Sequence, residues 1–346
     1  MVASLVIGFV WSDDCLRHEP GAEIWVGVRT PATELPERAL RIREALLAAG
    51  ASEVRATSHV DDAILAVHDA ALVEYLRTAW DEWASLGLPN DRVVPYVFAR
   101  EELTSGRPAR KPAAVWARPG RFAYDTMTLI GPGTWEAARG AVDAALTAVD
   151  LVADGARAAY ACCRPPGHHV TRSLYGGSCY LNNSAIAAAA LLDRLGGPVA
   201  IVDIDAHHGN GTQELFRGRD DVLTASVHVD PGEGWFPHFL GFADENDESN
   251  LNLPIAPASG DEPWLAAVHE AAAFASGARA LVIALGVDAA TADPESPLAV
   301  THDGYGEAGR ILGGLGLPTV VVQEGGYDLG TIGDLVVATL AGLVEG

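Results

Sequence analysis

The chain has 346 residues, 49% hydrophobic and 20% charged, enough apolar side chain for a large folded unit, which excludes disorder as its general state. With 46 acidic against 23 basic residues and a formal charge of −23, attraction to nucleic-acid phosphates is opposed over most of the surface, and no nucleic-acid partner is expected. No apolar run approaches the ~20 residues that span a bilayer, the four cysteines form no CxxC pair, and MVASLVIGFVWSDD lacks the basic head and cleavage site of a leader; a reduced, cytoplasmic protein with no membrane partner is the expectation.

In chain order, a first apolar run predicts a strand over 5–10, and apolar spacing of three and four predicts a helix over 36–49. Residues 86–121 have no period. They contain Pro89, Pro95, Pro108, Pro112 and Pro119 and read as one long surface excursion. Arg100, Arg107, Arg110, Lys111, Arg118 and Arg121 reverse the local charge there; a solvated loop, a subunit contact and a wall of the substrate entrance all fit. A helix follows over 134–153, with Thr134 as N-cap and one stripe of Trp135, Ala138, Val142, Ala145, Leu146, Val149 and Val152. Strands over 158–163, 199–204, 222–229, 280–285 and 319–323 then alternate with helices over 184–195, 262–275 and 304–313. Runs apolar on both faces, alternating with helices, predict a single α/β domain over 1–346, built on a buried, mostly parallel sheet. In the 158–163 strand, Cys162 and Cys163 would face opposite sides.

Each strand is followed by unusual residues. His168 and His169 end RPPGHH; Asp203, Asp205, His207, His208 and Asn210 lie in DIDAHHGNGT; His228 and Asp230 end SVHVD; Asp288 ends LGVD; and Tyr327 ends QEGGY. The carboxyl ends of parallel strands share one edge, where ligands bind, so these clusters should converge. Asp205 and His207, two apart in an extended segment, point the same way and can reach one cation, with Asp288 as third ligand. Two carboxylates and one imidazole leave coordination positions open, as catalytic zinc requires. His169 is the candidate base for an attacking water, His168 the group that stabilises charge and helps protonate the leaving amine, and Asp203 and Asn210 the partners that orient the two rings. A phenol at Tyr327, after Gly325 and Gly326, could donate to the oxygen of a tetrahedral intermediate.

RPPGHH, GGSCYLNNSAIAA, DIDAHHGNGTQ, SVHVDP, LGVD and QEGGYDLG, in this order and spacing, resemble the zinc-dependent histone deacetylase superfamily. GNGTQ, GTWEAA and DPGEGWFPHFLGFADE are most similar to bacterial acetylpolyamine amidohydrolases and class II-type deacetylases. The resemblance implies an arginase/deacetylase fold with about eight central strands. It assigns zinc to Asp205, His207 and Asp288, catalysis to His168, His169 and Tyr327, and the substrate to an N-acylated amine, first a small one such as an acetylpolyamine and second an acyl-lysine side chain. A metal-containing sensor without turnover is the reading from a different class. The resemblance further implies structural potassium at Asp203, Asp205, His207, Ser226 and Val227, with a second site near Phe216, Arg219 and Val222, and a homodimer through the long loop. The substrate channel is expected at Gly177, Ser178, Trp235, Trp116 and Met127. Ser178 should widen one wall, and Trp116 and Met127 align with glutamates that bind ammonium groups in the acetylpolyamine enzymes, so Asp125 or Glu233 would have to replace them.

Overall fold

Successive residues of the central strands bury in opposite directions. The computed structural model describes residues 5–346, so the first four residues of the segment read for a leader lie outside the described residues. Val320 and Val322 join one apolar cluster while Val321 joins another, and Val282 separates in the same way from Leu281 and Ile283. A strand apolar at every position therefore serves two cores, one on each face of a sheet.

The strands are β1 (Gly8–Trp11), β2 (Glu23–Trp25), β3 (Val28–Thr30), β4 (Ser52–Arg55), β5 (Ala158–Ala161), β6 (Val199–Asp203), β7 (Val222–Val229), β8 (Asn250–Ile255), β9 (Ala280–Leu285) and β10 (Thr319–Gln323). Eight of them form one sheet in the order β4-β1-β5-β10-β9-β6-β7-β8, with every neighbouring pair parallel. β2 and β3 pair apart from it as an antiparallel hairpin.

One face of the sheet is covered by the helices Ala70–Ala84, Thr134–Ala153 and Asn183–Leu195, through residues such as Leu72, Val142, Leu146 and Ile186. The other is covered by Pro36–Ala48, Asp261–Ala275, His302–Gly313 and Ile332–Glu345, through Ile42, Trp264, Tyr305 and Leu340. β5 ends at Ala161, short of the expected 163, yet Cys162 and Cys163 just beyond it still fall into the two different clusters.

The first strand differs from its expected 5–10 because its pairing partners, Ser52 and Ala159, begin opposite Gly8. Thr134 is not the N-cap. Gly133 holds that place with φ of 78°, and the Thr134 hydroxyl accepts from Gly131 N–H at 2.9 Å instead of from the first helical turn. The excursion over 86–121 carries the short helices Glu101–Thr104 and Pro119–Phe122, the turn Val115–Ala117 and a single bridge from Val93 to Ile130. Among the described residues, no helix is long and apolar enough to cross a membrane.

Candidate active site

All polar clusters picked out from the sequence leave the carboxyl ends of β5, β6, β7, β9 and β10, and the parallel sheet gathers those ends at one edge. Asp205, His207 and Asp288 meet there, each offering an atom within 4.8 Å of the others'. His207 Nδ1 stands 3.0 Å from Asp288 Oδ2 and 3.4 Å from Asp205 Oδ1. Backbone N–H groups aim the carboxylates: His207 and Gly325 donate to Asp205 at 2.9 and 2.8 Å, and Ala206 donates to Asp288 at 2.9 Å.

The cradle is built for bare backbone. A Cβ on Gly325 would stand 2.5 Å from Asp205 Oδ2 and 2.6 Å from Asp288 Oδ2, and one on Gly286 only 2.1 Å from Asp205 Oδ2. Two buried carboxylates so close favour a cation between them. Burial alone would lower the His207 pKa, but Asp205 and Asp288 push it up to about 10; burial, then Asp205, pushes Asp288 up to about 7. Hard oxygen donors with one imidazole, and a ligand histidine that also lines an open cavity, fit a divalent metal with an exposed face. His168, Cys179 and Glu324 also lie within 4.8 Å of one another. There, however, Glu324 is already satisfied by the N–H groups of Gly167 (2.6 Å) and His168 (3.1 Å) and the Ser184 hydroxyl (2.7 Å), so no cation is needed.

The tandem histidines lie side by side, ring centroids 4.0 Å apart, with different partners. His168 Nδ1 is 2.8 Å from Asp203 Oδ2, whereas His169 Nδ1 is 2.7 Å from the neutral Asn210 Oδ1. Burial disfavours charge on both rings. Asp203 and Asp205 overcome it at His168 and hold that ring well above the ordinary histidine pKa. At His169 burial and the neighbouring His168 win, and the pKa falls well below the ordinary value. One ring is thus disposed to be cationic and the other neutral.

Tyr327 follows Gly326, whose φ of +120° few other residues adopt, so its position depends on outside anchors. Arg38, from LPER, supplies one. Its guanidinium lies 4.7 Å from the Tyr327 ring centroid and donates to the carbonyls of Gly326 and, at 2.6 Å, Glu324, while Glu34 neutralises it at 2.7 Å. Burial holds the phenol well above its ordinary pKa against the opposing Arg38, so it keeps its proton for donation.

A cavity of about 520 Å³ opens over this floor. Gly177, Ser178, Met127 and Trp235 line it, together with His169, His207 and Tyr327. Phe236 also lines it, and this is the aromatic against the tandem pair, its ring edge-on to His169 with centroids 4.8 Å apart. Sequence reasoning took Trp235 alone for that wall, because nothing in WF distinguishes which neighbour turns inward. Opposite, Gly177 has φ of +60°, and a Cβ there would stand 2.4 Å from the His169 ring.

Trp116 requires a correction. It is 47% exposed and does not line the cavity. The adjoining Arg118 pairs with Glu82 on the Ala70–Ala84 helix and donates to Pro112 O at 3.2 Å, drawing the turn toward that helix. Asp125 cannot replace a substrate-binding glutamate either: its carboxylate is taken by the N–H groups of Met127, Thr128 and Gly177 and by the Thr128 hydroxyl. Glu233 does line the cavity, with two acids that sequence reasoning missed, Glu23 on β2 and Glu295 after the Asp288 turn. Of the residues proposed for potassium, Asp203 and Ser226 are register partners on β6 and β7. Phe216 and Arg219 form a turn closed by Arg219 N–H to Phe216 O at 3.0 Å, with Val222 beginning β7.

The family model described as histone deacetylase domain matches residues 32–343. Acetylpolyamine amidohydrolase 1 of Pseudomonas aeruginosa is 40% identical over 341 residues, covering 96% of this chain and 97% of that protein. The acetylpolyamine amidohydrolase of Mycoplana ramosa is 38% identical over 344 residues, covering 96% and 98%. Among solved structures, the acetylpolyamine aminohydrolase from Burkholderia pseudomallei superposes with a TM-score of 0.91 at 37% identity, covering 97% of this chain and 98% of that one. With sequence and overall fold agreeing over nearly the whole length, the chain belongs to the histone deacetylase domain family and is a hydrolase of amide bonds.

Proposed function

We propose that the amide cleaved is that of a small N-acetylated amine carrying a second, cationic nitrogen, an acetylpolyamine. The observation that carries this reading is the acidic lining above the floor: Glu23, Glu233 and Glu295 share the cavity with His169 and Tyr327, and no lysine or arginine lines it. Burial, then the charge of Glu295, pushes the Glu23 carboxyl up to about 7, so a cation between them relieves repulsion. Relatives of like length bear the name acetylpolyamine amidohydrolase, which agrees.

In this reading Asp205, His207 and Asp288 hold a divalent ion, zinc as the first choice. When bound, the ion supplies Lewis acidity, polarising a carbonyl and acidifying water. The neutral His169 accepts the proton of the attacking water at its free nitrogen, since Nδ1 is held by Asn210. His168, cationic beside Asp203, stabilises the negative charge that develops, and the pair returns a proton to the departing amine. The Tyr327 hydroxyl donates to the carbonyl oxygen, a contact worth ~3 kcal/mol in the transition state. Met127, Gly177, Ser178, Trp235 and Phe236 enclose the chain next to the amide. Potassium near Asp203, Asp205, His207, Ser226 and Val227, and near Phe216, Arg219 and Val222, a cytoplasmic location, and a homodimer through the basic 86–121 stretch complete the proposal.

Metal-analysed protein assayed with acetylputrescine, acetylspermidine and acetyl-lysine peptides tests it. Release of acetate and free amine from the polyamines, lost on chelation and restored by zinc, is the expected result. Turnover of peptides without turnover of polyamines would transfer the assignment to a protein deacylase.

A further inference from the structure

Asp293 holds together two loops that the reaction uses separately. It is 8% exposed and lies five residues after the ligand Asp288. Its Oδ1 accepts the N–H of Glu295 at 3.0 Å, while its Oδ2 accepts those of Tyr327 at 2.5 Å and Asp328 at 3.1 Å. The first loop thus carries a carboxylate of the cavity, and the second carries the phenol. Every partner is a donor, so only a group with acceptors on both sides can serve all three. Behind Tyr327 the chain is held on the floor side by the Gly325 N–H on Asp205 at 2.8 Å and by Arg38 on the Gly326 carbonyl, so Asp293 is its anchor to the Glu295 loop.

We propose that Asp293 is a positioning residue that links the amine end of the cavity to the reacting carbonyl, by fixing the Glu295 and Tyr327 loops to one carboxylate. An ammonium group drawn to Glu295 steadies residues 293–295 and, one hydrogen bond further on, the backbone of Tyr327. Part of the binding free energy of the remote cation is then expressed in turnover and not only in affinity. The inference rests on the cationic-amine reading above. It goes beyond it in predicting that the second nitrogen of the substrate raises kcat.

Acetylputrescine and N-butylacetamide, which have the same four-carbon chain with and without the terminal ammonium, test the link in the wild type, E295Q, D293N and the double variant. E295Q is expected to lower kcat on acetylputrescine about five- to tenfold more than it lowers kcat on N-butylacetamide. In the D293N background, where an amide can present its oxygen to one loop only, adding E295Q should change KM alone. A change confined to KM when E295Q is made in the wild type, or an undiminished kcat effect in the D293N background, overturns the link. Should D293N fail to fold by thermal melting, E295Q on the two substrates decides by the same kcat criterion. A wild type inert toward acetylputrescine but active on peptides overturns the substrate reading and the link together; an active wild type with a KM-only E295Q overturns the link alone.

Discussion

The floor of the cavity and its mouth are built by different means. On the floor, Asp203, Asp205, His168 and Asp288 are almost wholly buried and are aimed by backbone donors and by one another. At the mouth, Glu23 sits on a two-stranded hairpin apart from the main sheet, Glu233 ends the short turn Pro231–Glu233, Glu295 sits on a loop, and Trp25, which also lines the cavity, is half exposed. Changing a floor residue removes an interaction for which the interior offers no substitute. At the mouth, water and neighbouring acids can compensate. Reaction type is therefore set on the floor and substrate choice at the mouth, with Asp293 as the bridge between them, and effects should fall in size from floor to mouth.

Tyr327→Phe should show the largest effect. Metal content should be unchanged, since Tyr327 touches neither Asp205, His207 nor Asp288 through any hydrogen bond, and kcat should fall by about 10²–10³-fold, as for removal of one oxyanion donor. A turnover equal to wild type would move the polarising role elsewhere. Asn210→Asp tests the asymmetry of the histidine pair. A charged partner at 2.7 Å would raise the His169 pKa, which burial and His168 now hold low. Because the base must be neutral, the acid limb of the kcat/KM profile should move to higher pH, with activity on the alkaline side largely retained.

These two residues could be chosen from the sequence because a parallel sheet turns chain position into spatial position. Once the runs over 199–204, 280–285 and 319–323 are recognised as strands, the first of which ends one residue earlier at Asp203, DIDAHH, LGVD and QEGGY must meet at one edge. Other parts carry no such signal. β4 is SEVR, exposed at three of four positions, and β8 contains Pro254, which an edge strand tolerates because one side of its backbone is unpaired. Neither is an apolar run. Arg38 reads as a surface helix residue until Glu34 and the Glu324 and Gly326 carbonyls are seen around it. Glu23 and Glu295 lie 272 positions apart, the difference of their numbers, and only the turn after Asp288 and the hairpin bring both to the cavity. Trp116 was drawn into the channel by alignment across a stretch without periodicity, where a shift of few residues is undetectable.

At the mouth, Glu23→Gln should raise KM for acetylputrescine by about three- to tenfold and leave kcat for neutral amides unchanged, as expected for the loss of one partly solvated charge contact. The pH dependence sharpens the point. Burial and Glu295 place the Glu23 carboxyl at about 7, so below that pH it is protonated and the ammonium loses a partner. Wild-type KM for the cationic substrate should therefore fall as pH rises through 7, and this slope should flatten in the Gln variant. If the slope persisted, the titrating group would have to be another member of the cavity.

The smallest effect should come from Trp116→Ala. An aromatic of this size in the channel would contribute strongly to affinity, since burial of a large apolar side chain is worth roughly 1.5–3 kcal/mol. Here, however, the ring is about half exposed, and its turn is drawn to the Ala70–Ala84 helix through Arg118 and Glu82. KM and kcat for acetylputrescine should both stay within about twofold of wild type, the range of a surface truncation. The basic stretch around it has a separate expected role, so the same variant should be weighed by sedimentation. A shift from dimer toward monomer with unchanged kinetics of the active protein would place Trp116 at a contact between copies. A KM that rose tenfold in the dimer would instead return the loop to the substrate entrance, and the boundary between floor and mouth would need to be redrawn to include it.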